Sequence, residues 1–207
     1  MKMLAITGSI LLGTCASALA QNPTLPEMAQ ERPGTGPINA IVTGDFPAIT
    51  LDQLLKTADL VVHGTVAARS AGYLSQDQHD ILTDYTLAVA RVIAPDEAAL
   101  VPTPGMHFGP IVVTYLGGSM RLAGHDVTIQ HTNLKPFTVG LDAILILNRM
   151  GEKYRIAGDA LGAFGVEDGT IVPLGNRGSF GHEYRGWSVE QFIAEIQRGF
   201  DAKLRKR

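Results

Sequence analysis

The sequence predicts a mainly β fold: a small antiparallel barrel, closed or partly open, with a short N-terminal helix and a C-terminal amphipathic helix. Three observations predict it. Short apolar runs alternate with polar residues at period two across residues 58–174, the signature of half-buried strands. Glycine is abundant, 23 of 207 residues, and only 18% of residues are charged, which suits a turn-rich β architecture. Two segments with helical spacing flank the strand pattern, one on each side. Closing the sheet removes exposed strand edges that would otherwise invite aggregation.

The first twenty residues have the layout of an export signal. Lys2 supplies the positive start, and "MLAITGSILLG" is apolar but too short to span a bilayer. "ALA" at Ala18 to Ala20 fits a cleavage site. The mature chain is therefore expected to begin near Gln21 and to act in the periplasm or outside the cell. The only cysteine is Cys15, inside this signal. Thr14 stands where a lipoprotein signal carries Gly or Ala, which argues against lipidation there. Cleavage after Ala20 leaves no cysteine, hence no disulfide and no thiolate chemistry. No later run of 18 apolar residues exists, so no transmembrane segment is expected. The formal net charge is -3, so no global field favours nucleic acid.

Residues 21–48 are rich in Pro and Gly without a sustained period, and read as a loosely ordered arm that could dock through Ile38, Ile41 and Val42. The barrel domain spans 49–174. Thr50 to Thr57 is a short helix, because Thr50 and Gln53 have capping-box spacing and Leu51, Leu54 and Leu55 share a face. In "ADLVVHGTVAAR", Leu60, Val62, Gly64 and Val66 alternate with Val61, His63 and Thr65. "DILTDYTLAVARVI" is a long half-exposed strand, followed by a proline-rich loop, "APDEAALVPTPG". "PIVVTYLGG" is apolar on both faces and ends at a glycine pair; "HDVTIQH" alternates again. "LDAILILNR" is nearly continuous apolar, as for a strand covered on both sides. "MGEK" turns the chain into "YRIAG", and Asp168-Gly169 marks a type I′ hairpin. A Gly- and aromatic-rich loop, 175–187, leads into a C-terminal helix and basic tail, 188–207. Ser188 and Gln191 repeat the capping-box spacing, and Val189, Phe192, Ile193, Ile196 and Phe200 form the apolar stripe.

The motif order "ADLVVHGTV", "TDYTLAVARVI", "IVVTYLGG", "FTVGLDAILIL" and "YRIAG" resembles a set of uncharacterised bacterial secreted proteins with an OB-like β-barrel. It is distantly similar to netrin-like domains, and the match runs roughly from Ala58 to Val172. The resemblance implies an OB-like barrel. It does not carry over the metalloprotease inhibition of some netrin-like domains, which depends on an N-terminal cysteine. Leu141, followed by Asp142, stands where the bacterial set has an acidic residue after F-x-x-G.

Candidate chemistry is sparse. Metal ligands must converge to about 2.0–2.2 Å from one ion. His125 and His131 fall on one strand face, but six residues of strand separate them by roughly 20 Å. His63, His79, His107 and His182 lie on other segments, so the expectation is strand-end histidines near solvent and no metal or cofactor. Gly117-Gly118 leads into a strand rather than a helix, so it reads as a turn or bulge and not a phosphate loop. No G-x-S-x-G elbow surrounds Ser119 or Ser179, and the Asp80/Asp84 and Glu167/Asp168 pairs fall on exposed faces or turns. No catalytic residue is assigned.

The strongest binding candidate is "GNRGSFGHEYRGW", with Arg177, Phe180, His182, Tyr184, Arg185 and Trp187. Aromatic and Arg side chains dominate binding hot spots and stack on sugar or base faces. The competing structural reading packs these aromatics onto the barrel, with Trp187 as a hydrophobic staple to the last helix. The leading expectation is an exported non-enzymatic barrel domain that binds a protein or another envelope component. The alternatives are a metal-dependent or serine-type hydrolase built from dispersed residues, and a glycan-binding module.

Overall fold

A computed structural model describes residues 23–43, 49–94, 109–158, 160–175 and 180–204. The expected export signal with Cys15 and Ala20, the proline-rich loop after Ala94, His107, Arg177, Ser179 and the final basic residues lie outside these ranges.

The fold is mainly β, with a closed five-stranded barrel. Its walls are β2 (Leu60–Arg69), β4 (Ile81–Ala94), β5 (Ile111–Leu116), β8 (Asp142–Met150) and β9 (Lys153–Ile156). Around the barrel the order is β2-β4-β5-β9-β8, returning to β2. All contacts are antiparallel except β5 with β9, which run parallel. Taking the walls in chain order, the first pairs with the second and fourth, and the third with the fifth. This is the OB-like topology that the motif order implies. The parallel seam is short, with Val113 opposite Tyr154 and Thr114 opposite Arg155.

β8 explains its own apolar run. It pairs with β2 along one edge, while its other edge pairs first with β10 (Ala163–Glu167) and then with β9. One face of β2 and β8 turns Leu60, Val62, Leu145 and Leu147 into the barrel, where they pack with Tyr85, Tyr115 and Phe137. The other face turns Val61, Ile144 and Ile146 against two helices, α2 (Leu51–Thr57) and α3 (Val189–Leu204). Strands buried on both faces cannot alternate with polar residues.

The local signals behave as their chemistry requires. The Thr50 N–H donates to Gln53 Oε1 at 2.8 Å, and the Gln53 N–H returns to Thr50 Oγ1 at 3.2 Å, starting α2. Asp168 and Gly169 take φ of 49° and 74° between β10 and β11 (Thr170–Pro173), the left-handed pair a type I′ turn demands. α3 buries Phe192, Ile193 and Ile196. Gly199 stands inside α3 because a Cβ there would lie 2.7 Å from Leu55 Cδ1 on α2.

Three segments differ from the sequence reading. The expected loose arm contains α1 (Leu25–Glu31) and β1 (Ile38–Val42). The Glu27 carboxylate accepts from the Thr24 N–H at 2.7 Å and its hydroxyl at 2.9 Å, which fixes the first turn of α1. β1 joins β7 (His125–His131) in parallel, so its structure comes from a distant strand and not from a local period. Of the three expected docking residues, Ile38 is buried, whereas Ile41 and Val42 stay exposed. β3 (Tyr73–Leu74) and β6 (Gly118–Leu122) were not legible as strands. Gly117 and Gly118 fold β5 back into β6 at φ of 120° and 146°. A Cβ on Gly118 would sit 2.2 Å from the Thr83 hydroxyl, which itself donates to Gly117 O at 2.8 Å. β6, β7 and β1 form a small second sheet covering Ile81, Leu25 and Ala29.

Candidate functional site

The loop chosen from sequence divides by burial. Tyr184 closes the 3-10 turn Phe180–Tyr184 and points into the helix-side core. Its ring lies 6.4 Å from Phe164, 5.1 Å from Phe192 and 5.2 Å from Trp187. Burial, helped by a hydrogen bond with Glu183, pushes its phenol well above the usual range. His182 is half-buried and Arg185 exposed, while the Phe180 side chain and Arg177 lie outside the described residues. Of the candidate aromatics, Tyr184 is thus a core residue and Trp187 is half-buried.

Backbone pairing fixes Trp187. Its carbonyl accepts from the Ile171 N–H at 2.8 Å, and the Gly186 N–H donates to Ile171 O at 2.9 Å. Ser188 and Gln191 then cap α3: the Ser188 N–H donates to Gln191 Oε1 at 3.0 Å, and the Gln191 N–H to Ser188 Oγ at 3.2 Å. Trp187 occupies the staple position, with Tyr184 in ring contact with both Trp187 and Phe192.

An open groove of about 590 Å³ lies beside this joint, lined by Gly186, Trp187, Gln191, Ala194, Glu195 and Arg198. The four α3 residues follow helical spacing and form a stripe, polar except for Ala194, distinct from the buried one. Arg198 Nη2 donates to both carboxylate oxygens of Glu195. Glu190, one position before Gln191, turns away to Arg91 at 3.3 Å. Gln191, Ala194, Glu195 and Arg198 escaped the sequence reading because only the apolar stripe of the helix was followed. Their phase with Trp187 was the available signal.

The histidines go to separate partners. His125 is buried, not near solvent as expected, and its Nδ1 lies 2.9 Å from Gly36 O. His131 Nε2 lies 3.3 Å from Asp80, and His63 Nε2 lies 3.0 Å from Asp142. The His63 contact is ionic in distance only, since Nε2 has no partner in hydrogen-bonding geometry. Among the described residues, no three His, Cys, Asp or Glu side chains converge on one point. Ser119 Oγ shares a 2.9 Å hydrogen bond with Thr128 Oγ1.

Asp84 is not an exposed-face carboxylate as read from sequence. It is largely covered on the outer barrel wall. Its Oδ1 accepts from the Tyr73 hydroxyl at 2.9 Å and the Thr114 hydroxyl at 2.7 Å, and its Oδ2 meets Lys153 Nζ at 2.6 Å. Lys153 Nζ also lies 5.2 Å from the centre of the Tyr73 ring. The cluster joins β3, β4, β5 and β9.

No family model matches the chain, and no curated protein matches its sequence. Among the described residues, no helix is long and apolar enough to cross a membrane.

Proposed function

We propose that this chain is an exported, non-enzymatic binding domain that holds its ligand, a protein or another envelope or extracellular component, against the outside of the barrel in the Trp187 groove. The observation that carries the reading is the groove itself. It is an open concavity that sets a half-buried tryptophan beside the polar groups of Gln191, Glu195 and Arg198. Among the described residues, Tyr85, Tyr115, Phe137 and the aliphatic side chains of β2 and β8 pack the barrel interior. Export rests on the signal layout of residues 1–20.

The test is capture from the envelope and secreted fractions of the source cell, comparing the exported chain with its Ala194→Arg variant. Ala194 is exposed on α3, so arginine fills the groove without touching the core. The reading expects material retained by the wild type to be lost by the variant. Equal retention by both sinks it. Fractionation of a C-terminally tagged full-length chain checks export, and a cytoplasmic, uncleaved product contradicts it.

A further inference from the structure

We infer that the Trp187 groove takes a neutral sugar ring of a glycan. This rests on the groove being the ligand site, and goes beyond it by naming the ligand chemistry. A pyranose has an apolar C–H face and an equatorial rim of hydroxyls that both donate and accept. The groove offers the complement of each.

The ring face comes first. Gly186 precedes Trp187 with φ of 82°, and a Cβ placed on it would meet nothing within 4 Å. Ala194, on the facing helix, is the smallest side chain that α3 could present without loss of helix propensity. The tryptophan is thus flanked by two minimal residues, and the Tyr184 ring meets it in a T-shaped contact at 5.2 Å. A half-buried indole between two minimal residues offers a surface on which a ring can stack.

The rim comes second. Gln191 spends its Oε1 on the Ser188 N–H, which leaves its amide NH₂ to donate into the groove. Arg198 uses Nη2 on Glu195 and keeps further N–H groups, while Glu195 keeps carboxylate lone pairs. Donors and an acceptor therefore line one side at helical spacing.

The charge selects among sugars. Arg198 and Glu195 neutralise each other, and Glu190 is engaged by Arg91. With no net charge in the lining, a carboxylated or sulfated ring gains no net attraction and meets Glu195 beside Arg198. An apolar peptide side chain fits less well, because hot-spot pockets for such groups are enclosed and desolvated, whereas this groove is open and rimmed by charge.

Trp187 is the only tryptophan of the chain, so tryptophan emission reads the groove directly. The exported chain is titrated with neutral oligosaccharides of glucose, galactose, mannose and N-acetylglucosamine, with uronic-acid and sulfated oligosaccharides, and with a short apolar peptide. The expected result is a saturable change in emission with a neutral member, weakened at least about tenfold in Ala194→Arg. In Glu195→Gln, which leaves Arg198 unpaired, preference shifts toward the acidic sugars. Tighter binding of an acidic sugar or of the peptide by the wild type overturns the inference. So does the absence of any response to neutral sugars when Ala194→Arg still abolishes envelope capture; the groove then stands as the site and only the ligand class is wrong. If Ala194→Arg alters neither readout, the groove reading fails and takes the inference with it.

Discussion

Replacing Asp84 by Ala unties β3, β4, β5 and β9 in one step, and it does so at the weakest join of the barrel. The parallel seam between β5 and β9 rests on two residue pairs, and the Asp84–Lys153 contact spans it from β4 to β9. The Asp84 side chain is 18% exposed and that of Lys153 43%, so the pair lies between a surface ion pair, worth about 0–1 kcal/mol, and a fully buried one, whose breakage costs about 3–5 kcal/mol. Screening at the lysine holds the ionic part to about 1 kcal/mol. The Tyr73 and Thr114 hydroxyls each lose a bond to a charged acceptor, and Thr114 is too buried to recover it from water. At about 1 kcal/mol for each hydroxyl, the loss totals about 3 kcal/mol, or about 6–12 °C in Tm for a domain of this size. Urea and thermal unfolding of wild type, Asp84→Ala, Lys153→Ala and the double variant measure it. The two single changes should be coupled by about 1 kcal/mol. A loss under about 0.5 kcal/mol for Asp84→Ala, or no coupling, would refute the clasp.

The pH dependence gives the clasp a second signature. Desolvation is the largest influence on Asp84 and pushes its carboxyl up. The hydrogen bonds from Lys153, Thr114 and Tyr73, with the lysine charge, outweigh it, so the folded pKa lies below the ordinary 3.8. Its contribution is complete above that ordinary value and is lost as pH falls through the folded one. Lys153 is raised above its ordinary 10.5, chiefly by the hydrogen bond to Asp84. Its contribution is complete below that value and is lost as pH rises through the folded one. The stability gap between wild type and Asp84→Ala should therefore be flat at neutral pH and narrow at both extremes.

The paired tyrosines in the barrel should respond oppositely to loss of their hydroxyls. The Tyr115 hydroxyl, pushed up to about 12 by burial, donates to Leu134 O at 2.7 Å, so Tyr115→Phe should cost about 1 kcal/mol in urea unfolding. The Tyr85 hydroxyl is buried near the Phe137 backbone but outside hydrogen-bonding geometry, so Tyr85→Phe should be neutral or stabilising; a loss comparable to that of Tyr115→Phe would mean that the Phe137 contact is a real hydrogen bond. Gly199→Ala should lower Tm despite a helix-propensity gain of about 1 kcal/mol, because its Cβ overlaps Leu55 Cδ1; a raised Tm means that α2 and α3 separate freely. Tyr184→Ala should cost about 3–5 kcal/mol by emptying the core beside Phe164 and Phe192, and a fold of unchanged stability would place Tyr184 at the surface instead.

What the sequence made legible was local. Thr50 with Gln53, Ser188 with Gln191, and Asp168-Gly169 each act through neighbours a few residues apart, and each forms where its spacing says. The apolar run through Ile146 announced a strand covered on both faces. Barrel closure was not legible as a pairing, because Val113 meets Tyr154 across 40 intervening residues and no period links them. β1 was missed for a related reason: its partner is Val127 and its neighbours on β7, so Pro and Gly around it set the local impression while a distant edge set the structure. Asp84 obeyed the alternation that put it outside the barrel. Alternation says which wall a side chain leaves from, and not that Tyr73 and Lys153 then close over it.

The candidate site shows the same division within a single loop. Composition marked residues 175–187 as aromatic and basic, yet composition has no direction. Between Tyr184 and Trp187 the chain turns at Gly186, whose φ of 82° sends the first ring inward and holds the second at the rim. No count of aromatic residues separates those two outcomes, and both had been given the same role. Periodicity does separate them. Trp187 leads into a helix whose residues 191, 194, 195 and 198 share one face, while Tyr184 packs on Phe192, which belongs to the buried stripe. The polar stripe of an amphipathic helix usually reads as solvated surface. Here it starts beside the only tryptophan of the chain, next to a glycine with free space around it, and that coincidence is what sets the proposed groove apart from an ordinary exposed face.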